Sequence, residues 1–168
     1  MTEKILSIID ALAEDTGEFL DYKRIRKKLH GSWDYQTNFS KAFANLRRYG
    51  YLEIVERDNA LAVRLSKTGK LKIWHPRVER RWDGRWRLVA FDIEEKRKKT
   101  RDSFRTYLKQ CGFKPMQKSL WISPYDVSEE VEELIDLLDI ESNVDYFIAD
   151  AITNKEKFIE LFQLNQEK

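Results

Sequence analysis

Residues 85–124 read RWRLVAFDIEEKRKKTRDSFRTYLKQCGFKPMQKSLWISP, and this stretch decides the fold. In an extended chain, Trp86, Leu88, Ala90 and Asp92 fall on one side, and Arg87, Val89, Phe91 and Ile93 on the other. Both sets are largely apolar, so the strand over residues 86–93 has to be covered on both faces. A helix over 94–110 can supply one cover through Phe104, Tyr107, Leu108 and Cys111. Its opposite side carries Lys96, Arg97, Lys98, Arg101, Arg105 and Lys109, and Gly112 ends it. Two short strands follow, over 113–117 and 119–123, around a tight turn.

Downstream, Ser128 is expected to cap a helix whose inward stripe is Val131, Leu134, Ile135 and Leu138. Glu129 and Glu130 stand in its first turn, where the helix dipole favours carboxylates. Residues 145–152, DYFIADAI, read as a further strand, and 155–164 as a last short helix. The order βαββαβ plus a helix is the ferredoxin-like arrangement, in which two helices cover one sheet face. The second face is left to the terminal helix or to another chain. A twofold homodimer joining two bare faces is the economical solution.

Upstream, Ile5, Ile8, Ile9 and Leu12 repeat at helical spacing, and a second helix is expected over 22–29 after Asp21. A third runs from Tyr35 or Gln36 to Tyr49, with Phe39, Ala42, Phe43 and Leu46 inward and Gly50 just past its end. Residues 51–57 and 60–65 form a hairpin around Asp58-Asn59. Three helices and a hairpin, in that order, make a winged helix-turn-helix, whose third helix enters the major groove of double-stranded DNA. On that helix Gln36, Thr37, Ser40, Lys41 and Asn45 are types that bond base edges, and Arg47 and Arg48 suit phosphates. Arg57, Asn59 and Arg64 are the expected wing contacts. Ser66 opens a further short helix over 67–73. The fold class is therefore α+β: a winged helix-turn-helix over 1–75, a linker over 76–84 and a ferredoxin-like dimerisation domain over 85–168. The linker could also meet DNA through Arg77, Arg80 and Arg81.

Charge agrees with a polyanionic partner. Residues 1–82 hold 17 Lys and Arg against 11 Asp and Glu, whereas 83–168 hold 14 against 18. The basic excess peaks over 67–118, while 126–150 has 10 acidic residues and no basic one. The one cysteine, Cys111, excludes an internal disulfide and suits a reducing cytoplasm. No apolar run approaches the roughly 20 residues that span a bilayer, so no membrane partner is expected. His30 and His75 lack neighbours at metal-ligand spacing.

The run Trp82-Asp83-Gly84-Arg85-Trp86-Arg87-Leu88-Val89-Ala90-Phe91-Asp92-Ile93 resembles the PaaX-type transcriptional regulators. Arg101 with Phe104 and Leu108, then Cys111-Gly112-Phe113 and 117–124 (QKSLWISP), extend the resemblance. It implies a repressor that joins a winged helix to a central domain similar to the small CRISPR adaptation protein Cas-two. The founding regulators are about twice as long. This chain is expected to lack their further C-terminal domain, so the resemblance is not extended to an acyl-CoA effector, and no effector is assigned. The adaptation nucleases place an Asp at the end of the first strand near the dimer twofold, where it can hold a divalent metal, and Asp92 matches it. A metal-dependent nuclease centred on Asp92 with Mg2+, or an adaptation-like assembly subunit, is the alternative. For a regulator no cofactor is expected. Asp92 would then cap the following helix or pair with Arg85 or Arg87; for a metal site, Asp83 and Asp150 are the acids that could approach it.

Overall fold

A computed structural model of the chain describes residues 20–21, 36–57 and 60–164. The chain divides into two units, Met1–Trp74 and His75–Lys168. In the first, strand β1 (Leu20–Asp21) and helix α1 (Gln36–Arg48) precede a hairpin of β2 (Leu52–Arg57) and β3 (Ala60–Leu65). Helix α2 (Lys67–Ile73) closes the unit. The helices expected over the first residues and over 22–29 lie outside the described residues, as does the turn Asp58-Asn59.

Helix α1 forms where the apolar spacing requires it. Phe43 and Leu46 are buried, while Lys41, Arg47 and Arg48 are exposed. Gly50 ends the helix at φ 73°, a left-handed conformation that costs a glycine nothing. The Gly50 amide donates to Arg47 and the Tyr51 amide to Leu46, the paired bonds that close a helix C-terminus. The hairpin pairs Arg57 with Ala60 and Leu52 with Leu65. Strand β1 adds antiparallel to β3, giving the sheet order β1-β3-β2 with Val63 fully buried in the central strand. The Ser66 hydroxyl accepts the Gly69 amide at 3.0 Å and donates to the Gly50 carbonyl, capping α2 as expected.

The second unit is built on β4 (Trp82–Phe91), α3 (Lys98–Gln110), β5 (Lys114–Gln117), β6 (Leu120–Tyr125), α4 (Ser128–Leu138), β7 (Val144–Ala149) and α5 (Lys155–Phe162). One 3-10 turn, Glu95–Arg97, leads into α3. The sheet is antiparallel in the order β5-β6-β4-β7, with β4 inside. Strand β4 begins within the expected linker, because residues 82–87 bulge against β6 before the register settles at Arg87 opposite Ser123. On one face, Val89 and Phe91 pack under α3 and α4, with the Phe91 and Phe104 rings edge to face at 5.4 Å. Phe104, Leu108, Val131 and Leu134 are all at most 1% exposed and complete this core.

The opposite face is covered within the chain. Phe158 and Phe162 of α5 pack on Trp86 and Ile122, with Trp82, Leu88, Met116 and Ala149 around them. The Lys114 amine donates to the Leu161 carbonyl at 2.6 Å and fixes the end of α5. Of the two covers open to this face, the terminal helix is the one that lies on it. The dimer loses its argument from a wholly bare sheet. The half of the face nearer Asp92 stays more open: Ala90 and Leu120 are part-buried and Phe147 is 50% exposed.

Cys111 closes α3 and is 0% exposed. Burial in apolar surroundings pushes its thiol up to about 12, so little thiolate forms at neutral pH. The native protein is therefore expected to resist maleimide labelling and to react at least about a hundredfold faster in urea, as read by mass spectrometry. Equal rates in both would place the thiol in contact with solvent.

Candidate functional site

Three places in the fold gather chemistry. The first is the outer side of α1. Lys41, Arg47 and Arg48 are exposed and Asn45 is part-buried. The Arg48 guanidinium lies 5.2 Å from the Tyr49 ring centre and donates to its hydroxyl at 3.3 Å. Tyr49, 60% exposed, sits 6.2 Å from Tyr51 ring to ring, so the end of α1 carries an aromatic and cationic tip. Gln36, Thr37 and Ser40 stand on the first turns of α1, and Arg57 ends β2. Asn59 lies outside the described residues. Arg64 does not stand free as a wing contact: its Nε donates to the Glu53 carboxylate at 2.6 Å. The strand register puts Arg64 directly opposite Glu53, which explains the pairing.

The second is the end of β4 at Asp92. This residue is exposed, and no hydrogen bond or ion pair reaches its carboxylate among the described residues. Its backbone is tied instead, its amide donating to the Asn143 carbonyl and its carbonyl accepting the Asn143 side-chain amide, both at 2.9 Å. Asp92 caps neither the 3-10 turn nor α3, whose cap positions are Glu94 and Arg97. Arg85 pairs with Asp150 at 3.3 Å, and Arg87 pairs elsewhere. Asp83 and Asp150 lie at the opposite end of β4, since Ala149 pairs with Trp86 whereas Val144 pairs with Phe91. They do not join Asp92. Among the described residues no group of three or more His, Cys, Asp or Glu comes together as a metal site.

The third is Arg87, which nothing in its apolar run singled out. Its side chain is 2% exposed. It meets Asp83 through two bonds, 2.5 and 2.8 Å, and Asp126 at 2.9 Å. The bulge in β4 brings Asp83 back over Arg87, and the loop before α4 delivers Asp126. The Ser128 hydroxyl donates to Asp126 at 2.8 Å and stands 3.1 Å from the Tyr146 hydroxyl, which is left to donate to it. Ser128 therefore fastens this network and does not cap α4, where Val127 holds the cap position without a side-chain bond. Hydrogen bonding to Arg87 holds Asp83 down at about 2. The Ser128 hydroxyl, then the Arg87 charge, keep Asp126 below the ordinary carboxylate range. Burial raises Tyr146, and the bonds that Arg87 donates to Asp83 hold its guanidinium firmly protonated.

The basic side of α3 also sorts itself. Arg97 donates to the Leu138 and Asp139 carbonyls and closes the C-terminus of α4. Arg101 donates to the Ile93 carbonyl and Glu95, and that hydrogen bond, then its charge, lowers the Glu95 carboxyl. Arg105 donates to the Lys118 carbonyl at 3.1 Å and lies over the Phe91 ring. These arginines fasten the domain, while Lys98, Lys99 and Lys109 stay exposed.

An antiparallel βαββαβ sheet in this strand order, with two helices on one face, is a ferredoxin-like domain. Residues 79–159 match the family model of the PaaX protein central Cas2-like domain. That segment belongs to this domain family, which supports the resemblance read from the sequence. No curated protein matches the chain. No helix among the described residues is long and apolar enough to cross a membrane.

Proposed function

We propose that the protein is a sequence-specific DNA-binding repressor of transcription, acting in the cytoplasm as a homodimer. Its first unit is read as a winged helix-turn-helix. The observation that carries this is local: a helix with Lys41, Arg47 and Arg48 exposed runs directly into a two-stranded wing, and a short strand adds in the order β1-β3-β2. That is the arrangement in which a recognition helix enters the major groove and a hairpin meets the backbone. The membership of residues 79–159 in the PaaX central domain family supports the regulatory reading. Gln36, Thr37, Ser40 and Asn45 would read bases, with Lys41, Arg47 and Arg48 on phosphates. Arg57 and Asn59 would serve the wing, and Arg64 would support it through Glu53.

The test is Lys41→Ala with Arg47→Ala and Arg48→Ala. Three lost phosphate contacts are expected to weaken duplex binding by about ten- to a hundredfold and to reduce the salt slope by about 2 to 3. Fluorescence anisotropy against salt reads both. Wild-type affinity in the triple variant would remove α1 from the interface. The nuclease alternative keeps one favourable observation, the unpartnered Asp92 carboxylate. Mg2+-dependent cleavage lost in Asp92→Asn would replace the regulator reading.

A further inference from the structure

Residues 75–168 hold eight arginines, and they divide sharply by what they touch. Arg85, Arg87, Arg97, Arg101 and Arg105 each bond a carboxylate or a backbone carbonyl of the second unit. Arg77, Arg80 and Arg81 are exposed and bond nothing among the described residues. All three lie in one segment without helix or strand, between α2 and β4.

That segment is anchored at both ends. Trp74, before it, is 7% exposed. Trp82, after it, packs against the α5 cluster and donates its indole N–H to the Arg85 carbonyl at 3.0 Å. Pro76 restricts the backbone between them. Three guanidinium groups within five residues, with Glu79 as the one acid, repel one another and give the fold no compensating bond. A locally unfavourable choice without a structural return points outward, to a ligand. Val78 is part-buried and no large apolar side chain is exposed in the segment, which gives a lipid surface nothing to anchor. Planar, permanently charged guanidinium forks suit phosphate oxygens.

We propose that residues 77–81 form a second DNA contact, an arginine arm that binds backbone phosphates in addition to the helix-and-wing contacts. The inference rests on the DNA-binding reading and adds to it three contact residues outside the winged unit. The arm supplies affinity and register, not base discrimination.

The experiment uses the full chain and a mixed-sequence duplex of about 30 base pairs, since the phosphate contribution is independent of sequence. Binding is followed by anisotropy between about 50 and 200 mM salt. The variant Arg77→Ala, Arg80→Ala, Arg81→Ala is expected to lose about 2 to 3 from the salt slope and at least about tenfold in affinity. A control with Lys98→Ala, Lys99→Ala and Lys109→Ala removes the same charge from α3 and is expected to change both far less. Arg→Lys at the three arm positions is expected to keep most of the slope. An unchanged slope in the arm variant overturns the proposal, and so does an equal loss in both alanine triples, which would reduce the effect to net charge. A wild-type chain that binds no duplex overturns the regulator reading itself. Loss of binding in the arm variant with none in the α1 variant upholds the arm and removes α1.

Discussion

Replacing Arg87 by Met is expected to lower the unfolding free energy by about 2–3 kcal/mol at neutral pH. Removing one partner of a buried ion pair costs about 3–5 kcal/mol because it strands the other charge. Here the stranded groups are Asp83 and Asp126, 45% and 67% exposed in their side chains, and water relieves part of the penalty. The pH dependence separates charge from packing. Both carboxyls are depressed in the folded chain, Asp83 to about 2 from an ordinary 3.8. A depressed carboxyl contributes stability that is fully present above its unfolded pKa and is lost as pH falls through the folded one. The wild-type chain therefore loses this contribution between about pH 4 and pH 2. The Met variant has no ion pair to lose there. In acid the wild type also retains a buried guanidinium facing neutral acids, a burden the Met side chain does not carry. The difference between the two proteins should shrink below about pH 4 and can reverse. Urea unfolding followed by tryptophan fluorescence across this range measures it. A gap that stays constant from pH 7 to 2 would assign Arg87 to packing through its stem. Adding Asp83→Asn and Asp126→Asn to Arg87→Met should recover much of the loss, since no stranded charge then remains.

The parts of the fold that sequence discloses are those whose causes are local. Gly50 and Gly112 end their helices because a left-handed residue is needed there, and both have positive φ. The Ser66 cap is likewise set within a few residues. Strand β4 shows its double burial in its own composition. What stayed hidden depends on partners far along the chain. Arg87 sits in an apolar run, and its burial becomes legible only when a bulge and a distant loop bring two aspartates to it. Arg97 and Arg105 look like a solvated helix side because their partners are backbone carbonyls, which leave no mark in sequence. Arg64 is a nearer case: the register that pairs Arg57 with Ala60 also sets Glu53 opposite it. Of the candidate DNA contacts, helical periodicity correctly put Lys41, Arg47 and Arg48 outside. Periodicity cannot say what an exposed cation meets.

Phe158→Ala is expected to cost about 3 kcal/mol, and how that loss is distributed decides what α5 does. The ring is 4% exposed and meets Trp86 edge-on at 6.2 Å. Helix α5 has eight residues, too few to hold a helix by itself, so docking onto the sheet is what keeps it folded. Its Gln163 cap is a non-glycine residue at φ 54°, and the buried Trp86 indole N–H finds no acceptor among the described residues. Both weaken the docked state. The sheet and the two helices on its other face have a core of their own around Phe104, Leu108 and Leu134. The truncation should therefore release α5 before the domain unfolds. Release uncovers Trp86, Leu88 and Ile122, an apolar face that water does not tolerate at micromolar protein. Tryptophan emission should shift to the red and sedimentation should show self-association rising with concentration, while far-UV dichroism stays close to that of the wild type. Loss of stability with no change in association would make α5 a fixed part of the core. The proposed homodimer, if it uses this domain, would then have to be built on the more open half of the face around Phe147, or on another surface, because two copies cannot stack where α5 lies.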